Sequence, residues 1–256
     1  MVAQTIELPN IRKMFVPDPG YEIVDCDLAG ADAQVVAWEA DDADLKAAFR
    51  AGVSVHIKNA RECFPDKTRG MSDEAIKKQS QPGGVYYDNK RAVHATNYGG
   101  TSKGIAGILG WTVHETDTFQ SRWFGLHPGI RNWHRRTANQ LAQFRQVSNK
   151  YGFRRIYFDR IEGLLPEALA WVPQSTVAVT CNKGALAVEA QCPRIQLLIQ
   201  VHDSLVMQYP IKHRVECRAE LKAALHITVP YDDPLTIPWS MKASTQSWGD
   251  ATPIVW

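Results

Sequence analysis

Two carboxylates stand at the tips of apolar, β-branched runs. Asp27 closes the run Ile23-Val24-Asp25-Cys26-Asp27-Leu28, and Asp203 interrupts Leu197-Leu198-Ile199-Gln200-Val201-His202-Asp203-Ser204-Leu205-Val206-Met207. A buried strand end is a costly place for an unpaired charge. Two such carboxylates facing one another repel unless a divalent cation lies between them, and that arrangement serves two-metal phosphoryl transfer. Either Asp alone is also what a turn or a helix cap uses; the pair points to chemistry. A second set is Lys90, His94 and Tyr98. Spaced i, i+4 and i+8, they share one helix face. Cationic groups followed by a ring suit a nucleotide, with charges for the phosphates and an aromatic for the base and sugar.

The elements that must position these residues follow from the hydrophobic pattern. Residues 1–20 read as an extended lead-in, with a short strand and a Pro-Gly turn over 15–20. Residues 21–27 alternate like a strand, with Ile23 and Val24 on opposite faces. Helix is expected over 32–49 with a break or cap at Asp41-Asp42, and through 90–97 after a polar stretch, 70–84, whose most loop-like part is 77–84. Residues 104–147 read as mainly helical, broken near His127-Pro128-Gly129; 151–158 as a strand or hairpin; 174–187 as a helix. A strand, a His-Asp turn and a second strand fill 194–207. A helix over 213–225 would bury Val215, Leu221 and Leu225, and 237–248 is strand-like. Strands near both ends with helices between them make an α+β chain with a helical insertion.

The 256 residues, 45% hydrophobic and 22% charged, are ordinary for a globular protein with ample core. A net charge of +2 excludes polycation character. Nucleic-acid contact would rest on local clusters such as Lys77-Lys78, Lys90-Arg91, Arg135-Arg136 and Arg154-Arg155, each of which could equally be a solvated face. The five cysteines, Cys26, Cys63, Cys181, Cys192 and Cys217, have no CxxC spacing and read as reduced thiols. No stretch has transmembrane length and no signal-peptide pattern opens the chain, so no membrane partner and a cytoplasmic location are expected.

Four segments recur in a fixed order: Val24-Asp25-Cys26-Asp27-Leu28-Ala29-Gly30-Ala31-Asp32, then Leu45 through His56, then Lys90-Arg91-Ala92-Val93-His94-Ala95-Thr96-Asn97-Tyr98-Gly99, then Gln200-Val201-His202-Asp203-Ser204. This order resembles family A DNA polymerases, the group of bacterial DNA polymerase I and many phage replicases. The resemblance runs from near Leu8-Pro9-Asn10-Ile11-Arg12 to about Gly249. It implies a right-hand polymerase palm, an antiparallel sheet, with a helical fingers insertion: palm over 1–32 and 170–256, fingers over 33–169. Asp27 and Asp203 would hold two Mg²⁺ ions about 3.5–4 Å apart, with the Leu28 carbonyl completing one shell. Lys90, His94, Tyr98, Asp32 and His56 would bind the nucleotide. His94 would stand, beside the two Asp, as a catalytic group toward the leaving pyrophosphate. A helix-surface His without a role and a strand-end His satisfied by backbone are the alternatives for His94 and His56. Gln174 and His202 would contact primer-template DNA, the first through minor-groove acceptors common to all base pairs, and Arg154 is the basic candidate for DNA contact.

The departures from the family pattern carry their own expectations. Lys90 and His94 replace Arg and Lys, which removes a bidentate fork and brings a titration near neutrality; turnover would fall at high pH sooner than in a Lys-bearing relative. The sugar-shielding Glu is Asp32 here and its Tyr partner falls on Ser102, so ribonucleotides would be excluded less strictly. Ser204 stands where motif C carries a third carboxylate, Gly30 where many relatives carry Gln, and Tyr98 in place of Phe implies ready use of dideoxynucleotides. Thumb and exonuclease domains have no room before Met1, so a second polypeptide supplying both is expected, as in a split replicase of phage type, located in the host-cell cytoplasm if phage-encoded. Primer-template DNA and dNTPs are the remaining partners. Two other readings stay open: a single-subunit RNA polymerase or primase-polymerase of the same superfamily, toward which His202-Asp203-Ser204 and the weakened sugar gate lean, and a non-catalytic nucleic-acid-binding remnant.

Overall fold

A computed structural model describes residues 9–158 and 160–256 of the protein; residues 1–8 of the expected lead-in lie outside the described residues. The strand expected at Phe15-Val16 does not form. The Phe15 carbonyl instead accepts from the Trp248 amide at 2.9 Å, and the Phe15 ring meets the indole edge-on at 5.7 Å. The turn at Pro19-Gly20 does form and opens strand β1, Tyr21–Leu28. Helices α1 (Ala31–Glu39) and α2 (Ala43–Arg50) flank the expected break. There Asp41 takes φ 50°, and the Asp42 carboxylate caps α2 by accepting from the Leu45 amide at 3.0 Å.

Helices α3 (Val55–Cys63) and α4 (Pro65–Thr68) follow, so His56 sits in the first turn of a helix and not at a strand end. Helix α5, Asp73–Lys78, occupies a stretch that reads as loop. Its signals are local: Ser72 accepts from the Ala75 amide, acids fill the first turn, lysines the last, and Ile76 is fully buried. Residues 70–72 and 79–84 remain loop, and α6, Val85–Asn97, starts before Lys90. Helices α7 (Ser102–Leu109), α8 (Val113–Leu126) and α9 (Pro128–Phe144) are separated at Gly110, with φ 70°, and at the expected His127-Pro128. Strands β2 (Gln146–Ser148) and β3 (Arg154–Ile156) form the hairpin.

Helix α10, Leu165–Gln191, begins well before Gln174. Pro173 lies inside it and forfeits the amide that would bond the carbonyl one turn back, which is why the residues before Gln174 read as a boundary. Strands β4 (Gln196–Val201) and β5 (Ser204–Pro210) are joined by the expected His202-Asp203 turn, with His202 at φ 54°. Helix α11, Arg214–Ala224, buries Cys217 and Leu221, and Leu225 just beyond it is buried too. Val215, expected in the core, is 79% exposed. The short pair β6 (Thr228–Val229) and β7 (Leu235–Thr236) precedes β8 (Trp239–Ser244), and β9 is Thr252–Ile254. The strand-like pattern over 237–248 therefore ends early, and Trp248 opens a 3₁₀ turn.

The chain divides into two compact units, residues up to Ala31 with Val177–Trp256, and Asp32–Thr176. The first holds a five-stranded antiparallel sheet in the order β4-β5-β1-β8-β9. Its central strand β1 is buried on both faces. On one face Ile23 and Val206 pack with Trp248, and Ile199 and Val201 close that cluster. Glu22, 5% exposed, is the buried partner of Arg214 and Arg218 on α11 and accepts from the Tyr209 hydroxyl at 2.7 Å. The second unit is helical, with separate cores around Trp133, Val147 and Ile57. Among the described residues, no helix is long and apolar enough to cross a membrane.

Candidate active site

The β1–β5 register sets Asp27 opposite Ser204, one residue from Asp203. The Leu28 amide donates to the Asp203 carbonyl at 3.1 Å, fixing the turn against the end of β1. Both carboxylates are half-buried. Burial, then the charges of Asp203 and Asp25, push the Asp27 carboxyl up to about 6, with Lys242 and Arg12 opposing. Burial, with the same two carboxylates Asp203 and Asp27 adding, pushes the Cys181 thiol on α10 up to about 11. Residues distant in sequence thus share one acidic locale. A donor set made only of carboxylate oxygens suits a hard divalent cation, which would relieve both the burial and, second to it, the repulsion that raise the Asp27 carboxyl.

In the helical unit a second group converges. The Tyr98 hydroxyl donates to the Asp32 carboxylate at 3.0 Å, and the Tyr98 ring meets His94 edge-on at 4.6 Å. Burial, with Lys90 and His94 adding, pushes the His56 imidazole down to about 4. His94 keeps an exposed edge, yet the protein around its ring holds the imidazole below its ordinary value; Asp32 opposes this, and Lys90 and Arg91 add to it. Lys90, His94, Tyr98, Asp32 and His56 are therefore one connected set, with both imidazoles neutral at pH 7. The His56 Nδ1 is buried without a hydrogen-bond partner among the described residues. Two backbone features hold the helix face in place. Asn97 is pinned by the Trp123 indole at 2.8 Å on its side chain and by His134 at 2.8 Å on its carbonyl. Gly99 takes φ 74°, and a Cβ there would meet Leu169 at 3.3 Å.

Ser102 does not join this set: its hydroxyl lies against Asp117 and, at 3.0 Å, Gln120. Gly30 has φ 59°, a left-handed turn in which glycine is unstrained. Gln174 on α10, Arg154 on β3 and His202 in the turn are exposed. Sequence reasoning missed Asp25, whose carboxylate accepts from Ser204 and Trp248; its alternation with Asp27 along β1 was the available signal. It also missed Asp42, Asp44 and His127, whose ligand atoms lie within 4.8 Å of one another. There Asp42 already caps α2 and faces His127 Nδ1 at 3.2 Å, while Lys58 pairs with Asp44.

Comparison with known proteins shows the family and the fold. The sequence profile described as "DNA polymerase family A" matches residues 2–250. The chain is 27% identical over 243 residues to the thermostable DNA polymerase I of Thermus filiformis, covering 89% of this chain and 27% of that protein. It is 28% identical over 262 residues to DNA polymerase I of Chloroflexus aurantiacus, covering 98% and 26%. The chain thus spans about a quarter of the length of these curated relatives. Its fold matches the POL domain of Pol1 from M. smegmatis, solved in complex with DNA primer-template and dNTP, with a TM-score of 0.78 at 23% identity over 94% of this chain and 42% of that one. The chain belongs to DNA polymerase family A.

Proposed function

We propose that this chain carries the catalytic core of a template-directed DNA polymerase, transferring a nucleotidyl group from a dNTP to a primer 3′-hydroxyl. The sheet-bearing unit is then the palm and the helical unit the fingers. The observation that carries the reading is the acidic locale at Asp27 and Asp203, where Asp27 is pushed up to about 6. Asp27 and Asp203, with the Leu28 carbonyl, would hold two Mg²⁺ ions, which when bound make the 3′-hydroxyl more acidic and offset the triphosphate charge. Lys90, His94 and His56 bind the triphosphate, and His94, protonated in that anionic setting, gives its proton to the departing pyrophosphate. Tyr98 stacks on the nucleotide and, with Asp32, reads the sugar. Gln174, His202 and Arg154 contact the primer-template, a ligand class that the M. smegmatis domain was solved with.

The single-subunit RNA polymerase reading is kept as a second arm by one observation. Ser102 commits its hydroxyl to Asp117 and Gln120 and so does not share the contact that Tyr98 makes with Asp32. Primer extension with Mg²⁺, run with dNTPs and with NTPs, tests both. Extension from dNTPs that Asp203→Asn abolishes is expected. Extension from NTPs alone favours the second arm, and no extension by the parent, also with a polypeptide carrying thumb and exonuclease added, leaves a non-catalytic DNA-binding subunit.

A further inference from the structure

The position of the family's third carboxylate is filled here by Ser204, yet the same sheet face carries a third negative charge from another strand. Side chains two apart on a strand share a face, so Asp25 lies beside Asp27 on β1, opposite Val206 where Asp27 is opposite Ser204. Asp25 is 6% exposed. One of its oxygens accepts from the Ser204 hydroxyl at 2.9 Å and the other from the Trp248 indole at 2.8 Å. Trp248 in turn is held by the cluster of Ile23 and Val206, and Ser204 is buried in β5. Lys242, opposite Asp25 on β8, is exposed and forms no ion pair with it among the described residues.

A buried carboxylate served by two neutral donors is an expensive structural device. Either donor could be satisfied by an amide or hydroxyl without the cost of desolvating a charge. The charge itself is therefore what the site retains. We propose that Asp25 is a positioning residue of the cation site: fixed by Ser204 and Trp248, it supplies from β1 the third negative charge beside Asp27 and Asp203, and it acts through them without touching the ions. Ser204 is then the donor that holds a carboxylate on the neighbouring strand, in place of a carboxylate of its own. The proposal rests on the cation-site reading given above.

The test is Mn²⁺ binding to the full chain without DNA or nucleotide, followed by the electron spin resonance of free Mn²⁺. Asp25→Asn, with its circular dichroism unchanged, should weaken binding about tenfold, the effect of one nearby unit charge on a divalent ion. Asp25→Asn combined with Ser204→Glu returns the charge to the other strand and should restore binding to within about threefold. Ser204→Glu alone, where the third charge is already present, should gain less than about threefold. Parent-like binding by folded Asp25→Asn, failure of the double variant to recover, or a tenfold gain from Ser204→Glu alone would each overturn the proposal. If Asp25→Asn does not fold, the Ser204→Glu result decides. Asp203→Asn separates the two readings. Binding lost there but kept in Asp25→Asn removes only the role of Asp25, whereas binding unchanged in Asp203→Asn removes the cation site itself.

Discussion

The carboxylate end of the sheet and the basic face of α6 are prepared in opposite ways. At the sheet, backbone ladders on both sides of β1 fix negative groups close together, and burial with their mutual charge raises the Asp27 carboxyl. Around the α6 face the groups proposed to meet phosphate are His94 on α6 and His56 on α3, both held below their ordinary values, so that Lys90 is the one fixed positive charge of that set. On the proposed reading, one locale holds an excess of charge that a cation would relieve, and the other a deficit of protons that a triphosphate would fill. The difference teaches that this chain's unusual residues lie where charge is supplied on demand, while the family-like Asp pair lies where charge is built in.

The largest expected effect breaks the first half of that contrast. Asp203→Asn should cost primer extension about 10³-fold, the scale of several kcal/mol of lost metal assistance. The same substitution should raise the melting temperature of the cation-free protein at pH 7, because it removes a charge facing Asp27. The sign follows from Asp27. Its folded value lies above its ordinary 3.8, so the cation-free fold loses stability as pH rises from about 4 to about 6, and the partner's charge contributes to that loss. Activity falling while stability rises would be read by extension assays and thermal unfolding in chelator.

A middle-sized effect sharpens the second half. The imidazoles are neutral in the free protein and a triphosphate favours their charged forms, so nucleotide binding should take up as much as about one proton and tighten as pH falls. Titration calorimetry in buffers of different ionisation enthalpy measures the uptake, and His56→Gln should reduce it. No uptake would mean that the helix face is not the phosphate site. The smallest effect concerns the sugar. Tyr98→Phe removes the hydrogen bond to Asp32 and should loosen discrimination against ribonucleotides about fivefold, near the value of one such bond. Single-nucleotide incorporation ratios read it.

Much of this was legible in the chain because the informative features are local. Two apolar runs separated by His202-Asp203 can only fold back on themselves, and Lys90, His94 and Tyr98 share a face on any helix. Features set by distant partners were not legible. Pro173 reads as a boundary because its missing amide is visible in sequence, whereas the packing of Leu169 and Val172 that carries α10 through it is not. Val215 fits the helical spacing of a core residue, but Cys217 and Leu221 are buried instead. Asp25 looks like a strand residue until Ser204 and Trp248 arrive from the other end of the chain. The helix over 73–78 is the exception: Ser72 with Asp73-Glu74 ahead of Ile76 was a readable start, obscured by the polar run around it.

Strand β1 is flanked by β5 on one side and β8 on the other, and the hairpin turn that carries Asp203 has two residues. The seat proposed for an ion would consequently be finished when the sheet closes, with neither strand left to travel to complete it. Ordering entropy was met during folding. With the protein already in place, the pace of Mg²⁺ entry would be governed by how fast the ion sheds its own tightly held water.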